Sequence, residues 1–243
     1  MPIGECDKRL VILTKENGKI SAFAKGARRP NSALLACSQP FAFGEFALYG
    51  GRTSYNLLSA EISNYFGELR TDFPGLCHGF YFCEFAEYLT KENNDEKEVL
   101  KLLYRTLRAL SKKTIDTALI RSIFELKIMA VNGAAPQVFG CVKCDKNSSS
   151  AETDGQSYGG QYYFSPNCGG ILCEDCRGYD KGAIRINTST LYAMQYIVSK
   201  EIEKLYTFRV TAEVQEELSL CMKHYLGRYV EHEFKSLEML KGL

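Results

Sequence analysis

Apolar and polar residues alternate over the first 70 positions of the chain, which is the period of half-buried β-strands. The pattern predicts strands at 10–14, 20–24, 41–49 and 54–62. Asn17-Gly18 separates the first two and predicts a hairpin with a type I′ turn, in which both residues take positive φ angles. Several short strands with regular turns indicate a small barrel or sandwich.

From Phe73 onward the apolar residues recur with the period of an amphipathic helix. They predict helices at 73–89, 96–112 and 115–131. Asn187 and Thr211 are typical N-cap residues, and each precedes a further apolar helical pattern. These later helices are expected to complete the bundle begun at residue 73. The fold class predicted is therefore α+β, with a β-domain followed by an α-helical bundle.

Two CxxC pairs interrupt the helical part, Cys141–Cys144 and Cys173–Cys176, with 28 residues between them. Each pair can present two thiolates from a tight turn, and this spacing is typical of a four-cysteine zinc site. Four thiolates leave no position for water, so the zinc ion would be structural. Gly169-Gly170 supplies backbone freedom beside the second pair, and Cys168 is an additional thiol that could replace a ligand or shield the site.

Disulfides, a redox CxxC and an iron–sulfur cluster are alternatives to zinc. Disulfides need an oxidising compartment, but the N-terminus lacks the apolar segment of a signal peptide. A redox CxxC should open a helix after a strand, and neither pair matches that context in the predicted elements. An iron–sulfur cluster usually has three more closely spaced cysteines. We expect a cytoplasmic protein with reduced thiols and no membrane span.

Composition is that of a globular protein with a real core, because the 243 residues are 45% hydrophobic and 24% charged. Net charge is only +1, so a nucleic-acid surface would have to be local. No acidic residue occurs from Asn17 to Gly44. The segment carries four cations that are candidates for phosphate contacts, namely Lys19, Lys25, Arg28 and Arg29. The alternative is a solvated loop that only aids solubility.

A second group of cations follows one face of the predicted helix 96–112, opposite its apolar face. It consists of Lys101, Arg105, Arg108 and Lys112, to which Arg121 is added as a candidate. A cationic helix face is most often plain solvent exposure. The functional alternative is an anion-binding surface for DNA or for an acidic peptide.

Catalytic motifs are missing from the sequence. It has no GxxxxGK[ST] loop, no HExxH and no GxSxG. None of the three histidines, His78, His224 and His232, belongs to a recognisable nucleophile motif. The chain is therefore not expected to be an enzyme.

Several segments together resemble the bacterial RecO recombination mediator family, and they cover nearly the whole chain. They are Gly4–Lys8, Asn17–Ser21, Ala24–Ser32, Gln39–Phe41, Phe124–Lys127, the four-cysteine knuckle and Lys235–Leu240. The resemblance implies an N-terminal OB-fold, a helical domain and an inserted zinc knuckle. The corresponding limits are an OB-fold at 1–72, helical parts at 73–137 and 185–243, and the zinc module at 138–184. Family members usually have another strand before the Gly4 segment, so the first barrel strand is expected to be missing here.

The resemblance also implies a function without catalytic turnover. Such proteins bind single- and double-stranded DNA, anneal complementary strands, bind RecR, and engage the acidic C-terminal tail of single-stranded DNA-binding protein (SSB). They thereby help RecA to load onto coated strands in DNA repair and recombination, in the nucleoid-associated cytoplasm. The alternative is a zinc-containing interaction scaffold without annealing activity.

Overall fold

The computed structural model describes residues 1–51, 54–148 and 161–240. It divides into two compact units. Unit one contains Met1–Lys112 together with the C-terminal segment from Phe234, and unit two contains Lys113–Glu233.

Strands and helices follow the two predicted periods. The strands are β1 (Pro2–Ile3), β2 (Asp7–Thr14), β3 (Gly18–Ala24), β4 (Phe43–Gly50), β5 (Tyr55–Asn64), β6 (Tyr162–Ser165), β7 (Gly170–Cys173) and β8 (Ile184–Ile186). The α-helices are α1 (Leu34–Cys37), α2 (Phe73–Leu89), α3 (Lys97–Lys112), α4 (Thr117–Val131), α5 (Thr188–Ser199), α6 (Ala212–Tyr229) and α7 (Lys235–Leu240). Within the described ranges, none of these helices is both long and apolar enough to cross a membrane.

The sheet of unit one has the strand order β1-β2-β3-β5-β4. Neighbouring strands are antiparallel except β3 and β5, which pair in parallel at Ala22↔Tyr55 and Phe23↔Asn56. One face of the sheet packs against α1, and its core includes Ala24, Cys37 and Leu57. Strand β1, which precedes Gly4, is only two residues long, and the expectation that the family's first barrel strand is missing stays a prediction.

The hairpin between β2 and β3 forms where it was predicted, but its turn type differs. Gly18 has φ of +62°, whereas Asn17 is not among the described residues with positive φ. A type I′ turn needs positive φ at both central residues, so that prediction is wrong. Thr14 instead pairs with Gly18 across a three-residue loop, and the Asn17 N–H donates to Thr14 Oγ1 at 3.0 Å.

Helices α2, α3 and α7 belong to unit one. Their packing buries a cluster of aromatic rings, in which Phe234 lies 4.6 Å from Phe85 and 5.3 Å from Tyr81 between ring centroids. Glu84 of α2 accepts hydrogen bonds from the Lys235 and Ser236 N–H groups, both at 3.0 Å, which fixes the first turn of α7.

Unit two combines helices α4, α5 and α6 with a three-stranded antiparallel sheet in the order β7-β6-β8. Both predicted N-caps are confirmed, because Asn187 Oδ1 accepts from Thr190 N at 2.7 Å and Thr211 Oγ1 accepts from Val214 N at 3.4 Å. Helix α4 begins two residues later than predicted, since Asp116 caps it through Ala118 N at 2.7 Å.

The sequence predicted one helical bundle, but the helices are divided between the two compact units. Helices α2 and α3 group with the five-stranded sheet, and α4, α5 and α6 form the other unit. A periodic apolar face requires a partner but does not identify it, so the sequence pattern could not assign these helices to units. The predicted domain limits stay a prediction, because the compact units and the sequence segments divide the chain in different ways.

Candidate metal centre and nucleic-acid interface

The two CxxC pairs meet in unit two. The first pair lies in a turn after α4, and the second begins at the end of β7 and continues into a 3-10 helix, Glu174–Tyr179. The Sγ atoms of Cys141, Cys144, Cys173 and Cys176 all lie within 4.8 Å of one another. The sequence prediction that these four thiols converge is therefore confirmed.

Glycines and one left-handed residue allow the two turns to approach. Gly169 has φ of +77° and Asp145 has φ of +56°. A Cβ on Gly170 would lie 2.3 Å from the Gln137 carbonyl oxygen and 2.8 Å from Val142 Cγ1, so only glycine fits there. The Val142 N–H donates to the Ile171 carbonyl at 2.9 Å, which joins the first turn directly to β7.

The sulfur geometry fits a tetrahedral metal ion. Zinc–sulfur bonds of about 2.3 Å place the sulfurs of a regular tetrahedron about 3.8 Å apart. Cys144 Sγ and Cys173 Sγ are 3.6 Å apart. Cys141 and Cys176 are buried, Cys173 is partly buried and Cys144 is exposed, so the cluster lies at the surface with one side shielded.

Backbone N–H groups favour the thiolate form of Cys141, whereas burial raises the pKa of the Cys173 and Cys176 thiols. Burial alone would raise the pKa of the Cys141 thiol, but the backbone N–H groups of Cys173, Lys143 and Cys144 interact with its sulfur and lower its pKa to about 6. Thiolate is the form that binds metal. The Lys146 ammonium lies 2.6 Å from Asp175 Oδ2 and ties the first turn to the 3-10 helix, although both groups are exposed.

The structure bears on the alternatives to zinc. All ten cysteines are free thiols, and so they form no disulfide framework. The second pair stands between β7 and a 3-10 helix, but the neighbouring strands pair antiparallel, so this is not the βαβ unit that a redox CxxC requires. The thiols of the second pair lie close to those of the first pair, and four converging thiols are the arrangement that binds a metal ion. Cys168 lies outside the converging group, and its backbone N–H donates to Ser165 Oγ at 2.9 Å.

The candidate phosphate-binding loop leaves the end of β3 in unit one. Lys25, Arg28 and Arg29 are all exposed. The first residue of β2 holds this loop, because Asp7 Oδ1 accepts a hydrogen bond from Gly26 N at 2.7 Å. Arg28 is fixed twice, through its N–H to the Cys6 carbonyl at 2.9 Å and its Nη1 to the Gly4 carbonyl at 3.1 Å. The loop is thus a braced cationic surface.

Lys19 is placed differently from the other three cations. Its Nζ donates to the Glu87 carbonyl at 2.5 Å, in the last turn of α2, where a cation is favourable for the helix dipole. Its backbone N–H also donates to the Lys91 carbonyl at 3.0 Å. Sequence reasoning missed this structural role, because nothing local to Lys19 indicates a partner 68 residues away.

The second cationic group is divided between the units. The four α3 cations share unit one, where Lys101 lies 3.7 Å from Glu98 and Arg108 lies 5.9 Å from the Tyr104 ring centroid. Arg121 belongs to unit two, and its Nε donates to the buried Glu125 carboxylate at 2.7 Å. The α3 cations remain a candidate anion-binding surface.

A cavity of about 550 Å³ in unit two was not predicted from the sequence. Its lining residues are Ser189, Tyr192, Ala193, Tyr196, Phe208, Arg209, Val210, Thr211 and Val214. Tyr196 and Phe208 meet edge to face with centroids 5.1 Å apart, and Arg209 is exposed at the rim with Nη2 donating to the Thr114 carbonyl at 3.0 Å. The feature of the sequence that points to this cavity is the spacing of Tyr192 and Tyr196, which lie one turn apart on α5.

Two models of known protein families together match nearly the whole chain. Residues 1–66 match the family model described as recombination protein O N terminal, and residues 70–238 match the one described as recombination protein O C terminal. The chain belongs to the RecO family. The DNA repair protein RecO of Alkaliphilus metalliredigens is 36% identical over 241 residues, which cover 99% of this chain and 94% of that protein. The DNA repair protein RecO of Acetivibrio thermocellus is 32% identical over 240 residues, covering 99% and 92%.

Proposed function

We propose that this RecO family member is a DNA repair and recombination mediator. It binds single- and double-stranded DNA, anneals complementary strands without ATP, and acts with RecR to help RecA load onto SSB-coated DNA. The observation that carries the proposal is the braced loop with Lys25, Arg28 and Arg29 exposed. Because hydrogen bonds hold the loop backbone and the Arg28 side chain, the loop loses less conformational entropy when its cations bind phosphates.

The fold of unit one supports DNA binding. A five-stranded sheet with mixed pairing and an order of β1-β2-β3-β5-β4 is consistent with the partly open Greek-key barrel of an OB-fold. OB-folds bind single strands by combining a cationic groove with stacking aromatic rings. We accordingly assign unit one as an OB-type DNA-binding domain and the four-cysteine module as a structural zinc knuckle.

Annealing by such a protein needs no chemical step. Two DNA strands repel each other through their phosphates, and cations that neutralise them on one surface lower the cost of bringing the strands together. Base pairing then supplies the free energy. This explains why the mechanism requires neither a nucleotide-binding loop nor a catalytic residue.

Replacing Lys25 and Arg29 together by Gln tests the loop. We expect the affinity for single-stranded DNA to fall roughly tenfold or more at low salt, because each lost phosphate contact reduces the salt slope of log affinity by about 0.7. The measurement is fluorescence anisotropy across a salt series, alongside the rate of strand annealing without nucleotide. Lys15→Gln with Arg70→Gln is the matched control, since both cations are exposed in unit one and lie outside the loop.

Unchanged affinity and slope in the loop variant would show that the loop is not the phosphate site. A wild-type protein that binds no DNA and anneals no strands would instead support the alternative function of an interaction scaffold.

We assign the SSB tail to the unit-two cavity rather than to Arg121. An acidic tail with apolar residues needs an apolar pocket beside a cation. The cavity has aromatic and valine walls with Arg209 at the rim, whereas Arg121 is already paired with Glu125.

A labelled peptide that carries the SSB tail sequence tests this assignment. Arg209→Ala and Tyr196→Ala should each weaken peptide binding about tenfold or more, because they remove the charge partner and the apolar wall respectively. Arg121→Ala should have little effect. If only Arg121→Ala abolished binding, the assignment to this cavity would be wrong.

A further inference from the structure

The four thiols of the metal cluster differ in how well solvent reaches them. Cys141 and Cys176 are buried in a small core with Leu172, and the partly buried Cys173 packs against the same core. Cys144 is exposed. A metal-bound cysteine is a thiolate, which is the form that reacts with oxidants. A dissolved oxidant therefore reaches the Cys144 sulfur more readily than the sulfurs of the other three cysteines.

A second thiol lies within reach of the exposed one. Cys144 Sγ and Cys173 Sγ are 3.6 Å apart. A disulfide bond is about 2.0 Å long, so these sulfurs would have to approach each other by about 1.5 Å. Cys173 is the last residue of β7 and pairs with Tyr162 of β6, which holds its backbone in place. The approach therefore falls to Cys144, whose exposed side chain can rotate without displacing core residues.

We propose that Cys144 is an oxidation site and that Cys173 is its resolving thiol, so that a small hydroperoxide converts the two thiolates into a disulfide and unloads the metal. An accessible thiolate beside a second thiol is the arrangement of redox-sensing cysteines. The inference rests on the proposed zinc assignment. It adds a modification site to a module that is otherwise structural.

The reaction consumes one molecule of hydrogen peroxide for each disulfide. The Cys144 thiolate attacks a peroxide oxygen, an S–O bond forms, and the O–O bond breaks with loss of hydroxide. The Cys173 thiolate then attacks the Cys144 sulfur, an S–S bond forms, and the S–O bond breaks with loss of a second hydroxide. Solvent protonates both hydroxides, so the sulfurs are oxidised and the peroxide is reduced to water. The cluster keeps only the Cys141 and Cys176 thiolates, which are too few to hold the ion.

Hydrogen bonds that involve no thiol should make this oxidation reversible. The segment that carries the first pair is closed at its ends, because Ser148 Oγ donates to the Val138 carbonyl at 2.9 Å. Gln195 of α5 clasps both ends, with Nε2 donating to the Val138 carbonyl at 2.8 Å and to Ser148 Oγ at 3.0 Å. The Val142 N–H also bonds to β7. These contacts keep the first turn beside the second when the metal is lost, so reduction can restore the site.

Hydrogen peroxide and a chromogenic zinc indicator test the proposal on the full chain as purified. Wild type should release its zinc as one disulfide forms, and peptide mapping after alkylation should place that disulfide between Cys144 and Cys173. Dithiothreitol with added zinc should then restore the metal content. Cys168→Ser is the matched control and should behave as wild type, because Cys168 lies outside the converging group.

Two ligand replacements separate the roles of the two thiols. Cys144→His should keep zinc, because sites with three cysteines and one histidine also bind this ion. It should release zinc at least about tenfold more slowly under peroxide, since the accessible sulfur is gone. Cys173→His should leave Cys144 without its resolving thiol, so that dimedone traps Cys144 as a sulfenic acid. The disulfide mapped in wild type decides the matter even where a replacement fails to bind zinc.

Different failures point to different conclusions. If wild type contains zinc but keeps it under peroxide, or if zinc-loaded Cys144→His loses it as quickly as wild type, the oxidation site is overturned and the zinc assignment stands. A disulfide within either CxxC pair, in place of one between Cys144 and Cys173, would likewise overturn the proposal. Freshly purified protein without zinc would remove the assignment on which the inference rests, whereas the DNA-binding function is decided separately by the loop variant.

Discussion

At the scale of the residue, Gly18 shows how one position can satisfy two constraints. It has φ of +62°, which ends the β2–β3 hairpin turn. A Cβ there would lie 2.3 Å from the Lys91 carbonyl oxygen and 2.9 Å from that of Asn94. The sequence indicated the first constraint through the Asn-Gly turn pair, whereas the second depends on a loop that is distant in the chain.

Gly18→Ala should therefore destabilise the protein more than left-handed backbone strain alone. We expect a loss of about 3 kcal/mol in the free energy of unfolding, of which left-handed strain supplies about 1 kcal/mol and displacement of the α2–α3 loop the rest. Urea unfolding measures both. Gly4→Ala is the matched control, since Gly4 has φ of +54° but no atom within 4 Å of a built Cβ. Equal losses in the two variants would contradict the role of the close approach.

At the scale of the element, the four-cysteine module owes its shape to more than its ligands. Strand β6 pairs on both sides, with β7 and β8, and Ser165 at its end donates to Asp180 Oδ2 at 2.6 Å. The Asp180 carboxylate also accepts from Gly182 N at 3.0 Å. This hydrogen bonding, chiefly from Ser165, lowers the pKa of Asp180, so the carboxylate stays ionised and continues to fix the turn after the 3-10 helix.

Removing the metal should loosen this module and leave the sheet of unit one intact. Purified protein should contain about one zinc ion per chain, and Cys144→Ser or a strong chelator should abolish it, because a four-thiolate site needs all its ligands. Hydrogen exchange should then quicken at 137–148 and 161–186 but not in β2 or β3. Cys168→Ser should keep its zinc, since Cys168 lies outside the converging group. Iron in place of zinc, or no metal in freshly purified protein, would contradict the assignment.

At the scale of the whole molecule, the C-terminal segment decides how the chain is divided. After the helices of unit two, Phe234 returns to unit one, where it is buried against rings of α2. Unit two is therefore an insertion within unit one in terms of chain order. The sequence suggested an insertion too, but only of the zinc module, because the cysteine pattern was visible and the destination of Phe234 was not.

Local signals accounted for most individual elements. Alternation predicted β2 through β5, amphipathic period predicted α2, α3 and α4, and Asn187 and Thr211 were recognised as N-caps because an N-cap needs only a side-chain oxygen next to the helix start. The cysteine spacing likewise predicted the thiol cluster, since ligand spacing is itself a local property. The sequence therefore determined these elements, where the loop cations stand in the chain, and which four thiols converge.

Only the tertiary structure decided which faces and ends of those elements meet. It paired Lys19 with the end of α2, braced the loop with Asp7, aligned Phe23 with Tyr49 across β5, and enclosed the cavity beside Arg209. Each of these relations joins residues that are far apart in the chain. Hydrophobic burial is non-directional, so a pattern of apolar positions shows that a face must be covered but not by what. The strand register and the packing of distant segments such as Phe234 supply that information, and both exist only in the folded molecule.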